Sequence, residues 1–282
     1  MKIEAYLKQH YSANTLRRKL QYWEYFITYL AQLNVPLQSV NYSLILEYTS
    51  HLQSKGLKPI SINKYLVAIE QIIEGLELLP NNPVRGFRVK RGAENALYEP
   101  IEIQDLEAVL NAWPSEKMRD IRAKVLLSLL HCQALGAGDL AALELEHVDL
   151  EKAILSVPSV GKSNSRELLL QANQIKLLDC YMQFVRPQLL VYETDKLLIT
   201  GGSSRSLRGL FKSVLDKVKK QLPALINLEH WRSSVIVHWL QHQPLLEVQE
   251  MLGHRFASST ERYQLQAVQS LQEALEKYHP LA

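Results

Sequence analysis

The run Arg232-Ser-Ser-Val-Ile-Val-His-Trp-Leu240 is followed by Leu246-Glu-Val-Gln-Glu-Met-Leu-Gly-His254 and then by Ser258-Ser-Thr-Glu-Arg-Tyr263. Val235, Ile236 and Leu240 recur at helical spacing behind Arg232, so they form the buried face of a helix that opens on an arginine. Leu246 to Leu252 is a second helix, and the glycine after it is a stop signal that leaves His254 just past the turn. Helical periodicity resumes at Ser259 and runs to Lys277. An arginine, a Leu-Gly-His turn and a tyrosine nine residues past that histidine thus stand within one short, helix-rich stretch.

Upstream, the first third also reads as helices. Ser12 is a plausible N-cap before Thr15 to Leu33, where Leu16, Leu20, Trp23, Phe26, Ile27 and Leu30 form the stripe. Tyr42 to Leu52 repeats the pattern, and Ser61 is expected to cap Ile62 to Leu79. The segment from Val84 to Pro100 lacks apolar periodicity and carries Arg85, Arg88, Lys90 and Arg91. It reads as a basic connection, with residues 91–97 as the linker between units 1–90 and 98–282. Beyond it, Ile103 to Trp113, Met118 to Leu135 and Asp139 to Glu146 are helical in period. The period then changes. Ala153 to Val157 and Glu167 to Leu170 are short apolar runs around the turn-rich Ser159-Val-Gly-Lys-Ser-Asn-Ser165, which is a hairpin signal. Further helices are expected at Asn173 to Val185 and Ser206 to Lys220. The fold class is mainly α with a small antiparallel β-sheet.

Composition narrows the function. At 47% hydrophobic and 22% charged residues, a chain of 282 residues has ample material for one or two cores, so a disordered chain is excluded. The two cysteines, Cys132 and Cys180, lie in apolar helical stretches and fit a reducing, cytoplasmic setting better than a disulfide scaffold. No apolar run is long enough to span a membrane, and the segment beginning MKIEAYLKQHY lacks the apolar core of a signal peptide. The net charge of +3 is unevenly spread. Residues 1–98 hold 12 Lys and Arg against 7 Asp and Glu, while residues 99–282 hold 20 against 22. A basic first third is what a polyanion-facing surface needs, although such an excess also suits an ordinary solvated face.

These motifs resemble those of the tyrosine recombinase (phage integrase) family, in its two-domain, Xer-like form. The resemblance rests on Arg232, on Leu252-Gly-His254 and on Tyr263 at the family's offset. It extends to Asn14-Thr15, Ser61-Ile-Asn-Lys-Tyr-Leu66 and Asn82-Pro83 in a helical core-binding domain, and to Val160-Gly-Lys-Ser-Asn-Ser-Arg166 as a lysine-bearing hairpin. It covers roughly Met1 to Lys277. It implies a helical DNA-binding domain and a catalytic-type domain closing as a C-shaped clamp on double-stranded DNA. It also implies a homo-oligomer, or a pairing with another recombinase, on that DNA. Tyr263 would be the nucleophile, Arg232 and His254 would hold the phosphate, and Lys162 would protonate the leaving oxygen. Arg17, Arg18, Lys19 and Lys64, on the DNA-facing helices, would contact the duplex. The terminal stripe of Leu265, Val268, Leu271, Ala274, Leu275 and Tyr278 would bury itself on a neighbouring subunit or on its own domain.

Two positions depart from the family pattern. Asp139 fits its acidic position, and that register puts Gly136 where the first arginine belongs. Glu229 stands where a histidine belongs, three residues before Arg232, and His230 lies in the wrong phase to replace it. Transfer of a phosphodiester to a tyrosine conserves the ester bond, so no nucleotide cofactor is needed. The reaction does build negative charge on the non-bridging oxygens, and a lost charged donor typically costs about 10²- to 10³-fold in rate. A carboxylate beside the phosphate adds repulsion. Two readings therefore stay open: a site-specific recombinase or integrase, and a catalytically impaired relative that recognises a site or partners an active enzyme. A helical scaffold without a DNA role fits the basic first third poorly. His238 and His242 share a helix face at metal-ligand spacing, but no third ligand follows, so no metal is expected. Walker loops, GxGxxG and CxxC are absent, so no cofactor is expected.

Overall fold

The computed structural model of the chain describes residues 2–90, 98–161, 163–202 and 206–264. The expected linker at 91–97, Lys162, and the stripe beyond Gln264 lie outside the described residues. The chain divides into two compact units, Met1–Ala96 and Leu97–Ala282.

The first unit is built from α1 (Lys2–His10), α2 (Ala13–Gln32), α3 (Tyr42–Ser54) and α4 (Pro59–Gly75). Leu7, Phe26, Leu30, Ile45, Tyr48, Leu52, Ile62, Leu66, Ile69 and Ile72 form its core, each at most 2% exposed. These are the i, i+3, i+4 positions of the four helices, so the amphipathic pattern alone assembles the bundle. Asn41 caps α3 by accepting the Leu44 amide at 3.0 Å. Three expectations need correction. Helix α1 precedes the first expected helix and docks by laying the Tyr6 ring where a side chain on Gly75 would stand. Ser61 does not cap α4. That helix opens at Pro59, whose missing N–H costs nothing in the first turn, and it ends at Gly75 rather than Leu79. The basic connection begins later than its composition suggests. Val84 is fully buried, and Asn63 clasps Val89 through both its amide and its carbonyl (2.8 and 3.0 Å).

The second unit starts with α5 (Ile103–Asn111), α6 (Met118–Cys132) and α7 (Ala137–Ala142). Strands β1 (Val148–Asp149), β2 (Ile154–Val157) and β3 (Arg166–Leu169) then form an antiparallel sheet in the order β1-β2-β3. Helices α8 (Ala172–Cys180), α9 (Arg186–Leu189), α10 (Arg208–Gln221), α11 (Leu228–His242) and α12 (Leu245–Leu252) follow, and residues 257–264 are helical. Val125, Leu126, Leu127, Leu155, Trp231, Ile236 and Val248 are fully buried in its core.

The hairpin register decides where an arginine goes. Val157 pairs with Arg166 and Leu155 with Leu168. Side chains alternate along a strand, so Arg166 shares the inward face of Leu168, while Leu169 is 78% exposed. The sequence pattern left Arg166 in the turn; the structure makes it the first residue of β3. β1 is a strand the periodicity did not mark, because two residues carry no period.

Candidate active site

Arg232 sits in the second turn of α11, which starts four residues earlier than the apolar pattern indicates. Asn227 sets that start by accepting the His230 amide at 2.8 Å. The Arg232 residue is 9% exposed. Its Nε donates to the Ala134 carbonyl at 2.7 Å and its Nη1 to Glu229 Oε1 at 3.0 Å. Glu229 and Arg232 are three residues apart on one helix, so the ion pair costs the backbone nothing. The Ala134 carbonyl is presented by the α6–α7 loop, whose neighbour Gln133 is buried against Gln174 and the Leu169 carbonyl.

Gly136 opens α7, and its amide donates to Asp139 Oδ2 at 3.1 Å. A Cβ on Gly136 would lie 3.7 Å from Asp139 Oδ2 and 3.8 Å from Arg232 Nε. Position 136 therefore faces Arg232, with ordinary van der Waals room for a Cβ. His230 turns away from this cluster. Its Nε2 bonds the Glu99 carbonyl at 2.7 Å and its ring lies on Tyr98.

His254 is placed by a tight turn. Gly253 ends α12 at φ 66°, and a Cβ there would stand 2.7 Å from the Asn164 carbonyl and 2.8 Å from Arg166 Nη1. The turn is hooked to the hairpin. The Asn164 amide donates to the Gly253 carbonyl at 2.7 Å, and Ser163 bridges to His254. The His254 Nδ1 meets the Thr260 hydroxyl at 2.9 Å, and Thr260 is fully buried. The Tyr263 ring lies nearly parallel to the imidazole, with centroids 6.4 Å apart and 14° between planes. Burial first, then the Arg232 and Arg166 charges, push the His254 pKa down to about 4, against a smaller opposing pull from Asp139. The imidazole is accordingly neutral at pH 7.

Of the residues singled out in this unit, Arg232, His254, Gly136, Glu229 and Tyr263 fall in one neighbourhood. Lys162 lies outside the described residues, between Gly161 and the Ser163 that pairs with His254. Arg166 and Thr260 were missed. The parity of the strand was the signal for Arg166, and no local pattern marked Thr260.

In the first unit, Arg18, Lys19 and Lys64 line one cleft of about 720 Å³ between α2 and α4, together with Tyr22 and Arg88. Arg17 is exposed outside this lining. Lys19 departs from the expectation of a surface cation. It is 8% exposed, its ammonium bonds Gln71 and lies 4.4 Å above the Tyr11 ring, and burial lowers its pKa. Arg88, which was read only as part of a basic connection, lines the same cleft and pairs with Glu70. The His238 and His242 rings lie 4.6 Å apart. Among the described residues no three His, Cys, Asp or Glu side chains gather as a metal site. No helix among them is long and apolar enough to cross a membrane.

Known proteins resemble the chain over most of its length. The chain is 26% identical over 287 residues to the tyrosine recombinase XerC of Natranaerobius thermophilus, covering 97% of this chain and 94% of that one. It is 25% identical to the XerD of Vibrio cholerae, covering 91% and 87%. The fold is shared with the XerH site-specific recombinase bound to a palindromic difH substrate (TM-score 0.72, 18% identity, 88% and 75% covered). It is also shared with the Tn1549 transposon integrase in complex with a circular intermediate DNA (TM-score 0.71, 16% identity, 97% and 98% covered). Residues 2–75 match the phage integrase SAM-like domain. Residues 100–269, well over half the chain and containing Arg232, His254 and Tyr263 together, match the phage integrase family, and the chain belongs to that family of tyrosine recombinases.

Proposed function

We propose that the chain is a site-specific recombinase that cuts and rejoins duplex DNA, with Tyr263 as nucleophile. The observation that carries this reading is the convergence, within one unit, of a guanidinium, a neutral imidazole and a tyrosine ring parallel to it. The Tyr263 oxygen attacks the phosphorus, the bond to the 5′ oxygen breaks, and a 3′-phosphotyrosine forms. The 5′ oxygen takes up a proton, a role the resemblance gives to Lys162. Arg232 donates to the non-bridging oxygens as charge builds on them. His254 commits Nδ1 to Thr260 and keeps Nε2 for the phosphate or for the phenolic proton. The tyrosine hydroxyl is a weak nucleophile until that proton leaves. Religation is the same step reversed, with a 5′ hydroxyl as the attacking group.

In the first unit, Arg17, Arg18 and Lys64 follow the DNA backbone along α2 and α4, and phosphate contacts there set position rather than sequence. A lambda integrase of like fold is a tetramer bound to a Holliday junction, and several copies on DNA are the expected working form of this chain.

Glu229 is the obstacle. Its carboxylate holds the guanidinium that a phosphate must engage. Cleavage then requires the phosphate to displace a residue that is itself 54% exposed at its side chain, and the basal rate is low. The test is a duplex carrying a nick that traps the covalent product, with its sequence chosen by the chain from a random library. A covalent adduct that disappears in Tyr263→Phe, with binding retained, supports the reading. Tight, selective binding with no adduct under any condition means a recombinase-derived DNA-binding protein instead.

A further inference from the structure

Arg166 is a charged residue on a core-facing strand position, and the strand's parity drives it inward beside Leu168. Its side chain is 5% exposed. Burying a guanidinium is costly unless its donors are satisfied. Two of its three nitrogens are engaged: Nε donates to the Met251 carbonyl at 2.7 Å, and Nη2 to Asp139 Oδ2 at 3.1 Å. The third, Nη1, is buried with no partner among the described residues. It lies against Gly253, one residue before His254.

The choice of partner is informative. Arg166 borders a cleft with Glu167, Glu247 and Glu250. Its ion pair is made with none of these but with Asp139. Asp139 Oδ2 is the same oxygen that lies 3.7 Å from the Cβ position of Gly136. A guanidinium sent from position 136 and the one sent from position 166 would meet the same carboxylate. Arg166 also lies close enough to His254 to help depress its pKa.

We propose that Arg166 is the second cation of the phosphate pocket, delivered from β3 into the place that Gly136 leaves empty, with its unspent Nη1 as the donor offered to a phosphate oxygen. This deepens the recombinase reading and rests on it. The alternative for the same residue is a strut that ties β3, α7 and the end of α12 together.

Charge and bracing separate in substitutions. Arg166→Lys keeps the charge and loses the Nε bond to Met251. Arg166→Gln loses both. The probe is the selected duplex, with affinity measured against salt concentration. If Arg166 meets a phosphate, Arg166→Gln makes the slope of log affinity on log salt shallower by about one, and Arg166→Lys keeps it. Adding Gly136→Arg to Arg166→Gln restores the slope, because the carboxylate of Asp139 then receives a guanidinium from the other side. A strut cannot be replaced from position 136, so a folded Arg166→Gln with an unchanged slope, or with no rescue, overturns the proposal. If Arg166→Gln fails to fold, the doubly substituted chain decides. Recovery of a cooperative melt with the unmodified chain's salt slope supports the shared niche, and failure to fold overturns it. If the unmodified chain selects no duplex at all, the recombinase reading fails first, and this proposal fails with it before any variant is compared.

Discussion

On the His254 side of the candidate pocket, the groups are placed by a tight turn, a buried hydroxyl and a neighbouring ring. On the Arg232 side, the same kind of space is occupied by charges that cancel. The first side consists of a glycine turn hooked onto a hairpin, a buried threonine orienting an imidazole, and a tyrosine laid parallel to it. The second side sets Arg166 and Arg232 against Asp139 and Glu229. With His254 neutral, the four charges sum to zero before any DNA arrives. A pocket with an arginine at 136 and a histidine at 229 would be more positive by two units or more. The contrast teaches that geometry and charge can be altered separately. Gly136 and Glu229 set the field around the phosphate site, and neither is among the residues that hold the turn carrying His254.

The strongest way to break this contrast is to restore the charge. Gly136→Arg has room at Cβ and would share the Asp139 carboxylate with Arg166. Glu229→His releases Arg232 Nη1. Together they are expected to raise strand cleavage by on the order of 10²-fold or more, from a recovered donor and a removed repulsion. Single-turnover cleavage of the selected duplex reads this out. An unmodified chain that already cleaves as fast as the double variant would mean that another residue supplies the missing charge in full, and Arg166 is the first to test.

Breaking the other side attacks the backbone. Gly253→Ala places a methyl group 2.7 Å from a carbonyl and asks an L-residue to hold φ 66°. The expected cost is roughly 2 to 4 kcal/mol of stability, from left-handed strain plus overpacking. Urea unfolding measures it. A loss below about 0.5 kcal/mol would show that the hairpin and the turn give way easily, and that the His254 side is no more rigid than the Arg232 side.

A third measurement uses pH. The folded His254 pKa of about 4 lies below the ordinary value of 6.5. Between these values the unfolded chain binds more protons than the folded one, so stability rises with pH across this window and falls as pH drops from about 6.5 towards 4. Partial exposure screens the effect, leaving on the order of 1 to 2 kcal/mol. His254→Gln should flatten that part of the stability profile. An equally steep profile in the variant would assign the slope to other groups, of which His131, also pushed down by burial, is the nearest alternative.

How legible all this was in the sequence depends on the kind of signal. The long amphipathic helices were readable because burial repeats every three to four residues along them. Leu252-Gly-His254 and Tyr263 were readable because a turn and one helix fix their offset. Helix starts were read poorly. Proline at the first position of α4 and asparagine before α11 moved those starts ahead of the apolar stripe. The ion pair of Asp139 with Arg166 joins residues 27 apart through the sheet register, and no local pattern reports a register. Glu229 was recognised as a departure, but its bond to Arg232 needed a helix that begins before it.

The smallest effect expected is in the first unit, where two lysines on neighbouring helices have opposite fates. Lys64 is exposed on α4, while Lys19 on α2 gives its ammonium to Gln71 and the Tyr11 ring, although both line the same cleft. An exposed lysine on a phosphate releases one counterion. Lys64→Ala should therefore weaken DNA binding a few-fold at low salt and make the salt slope shallower by about one. Lys19→Met keeps the aliphatic stem and removes a charge that is already spent inside the unit. It should leave the slope unchanged and show itself instead as a modest loss of thermal stability, on the order of 1 kcal/mol for the unpaired Gln71. If Lys19→Met lowers the slope as much as Lys64→Ala does, the ammonium leaves Gln71 when DNA arrives. The cleft between α2 and α4 then opens on binding, and the buried position of Lys19 describes only the DNA-free protein.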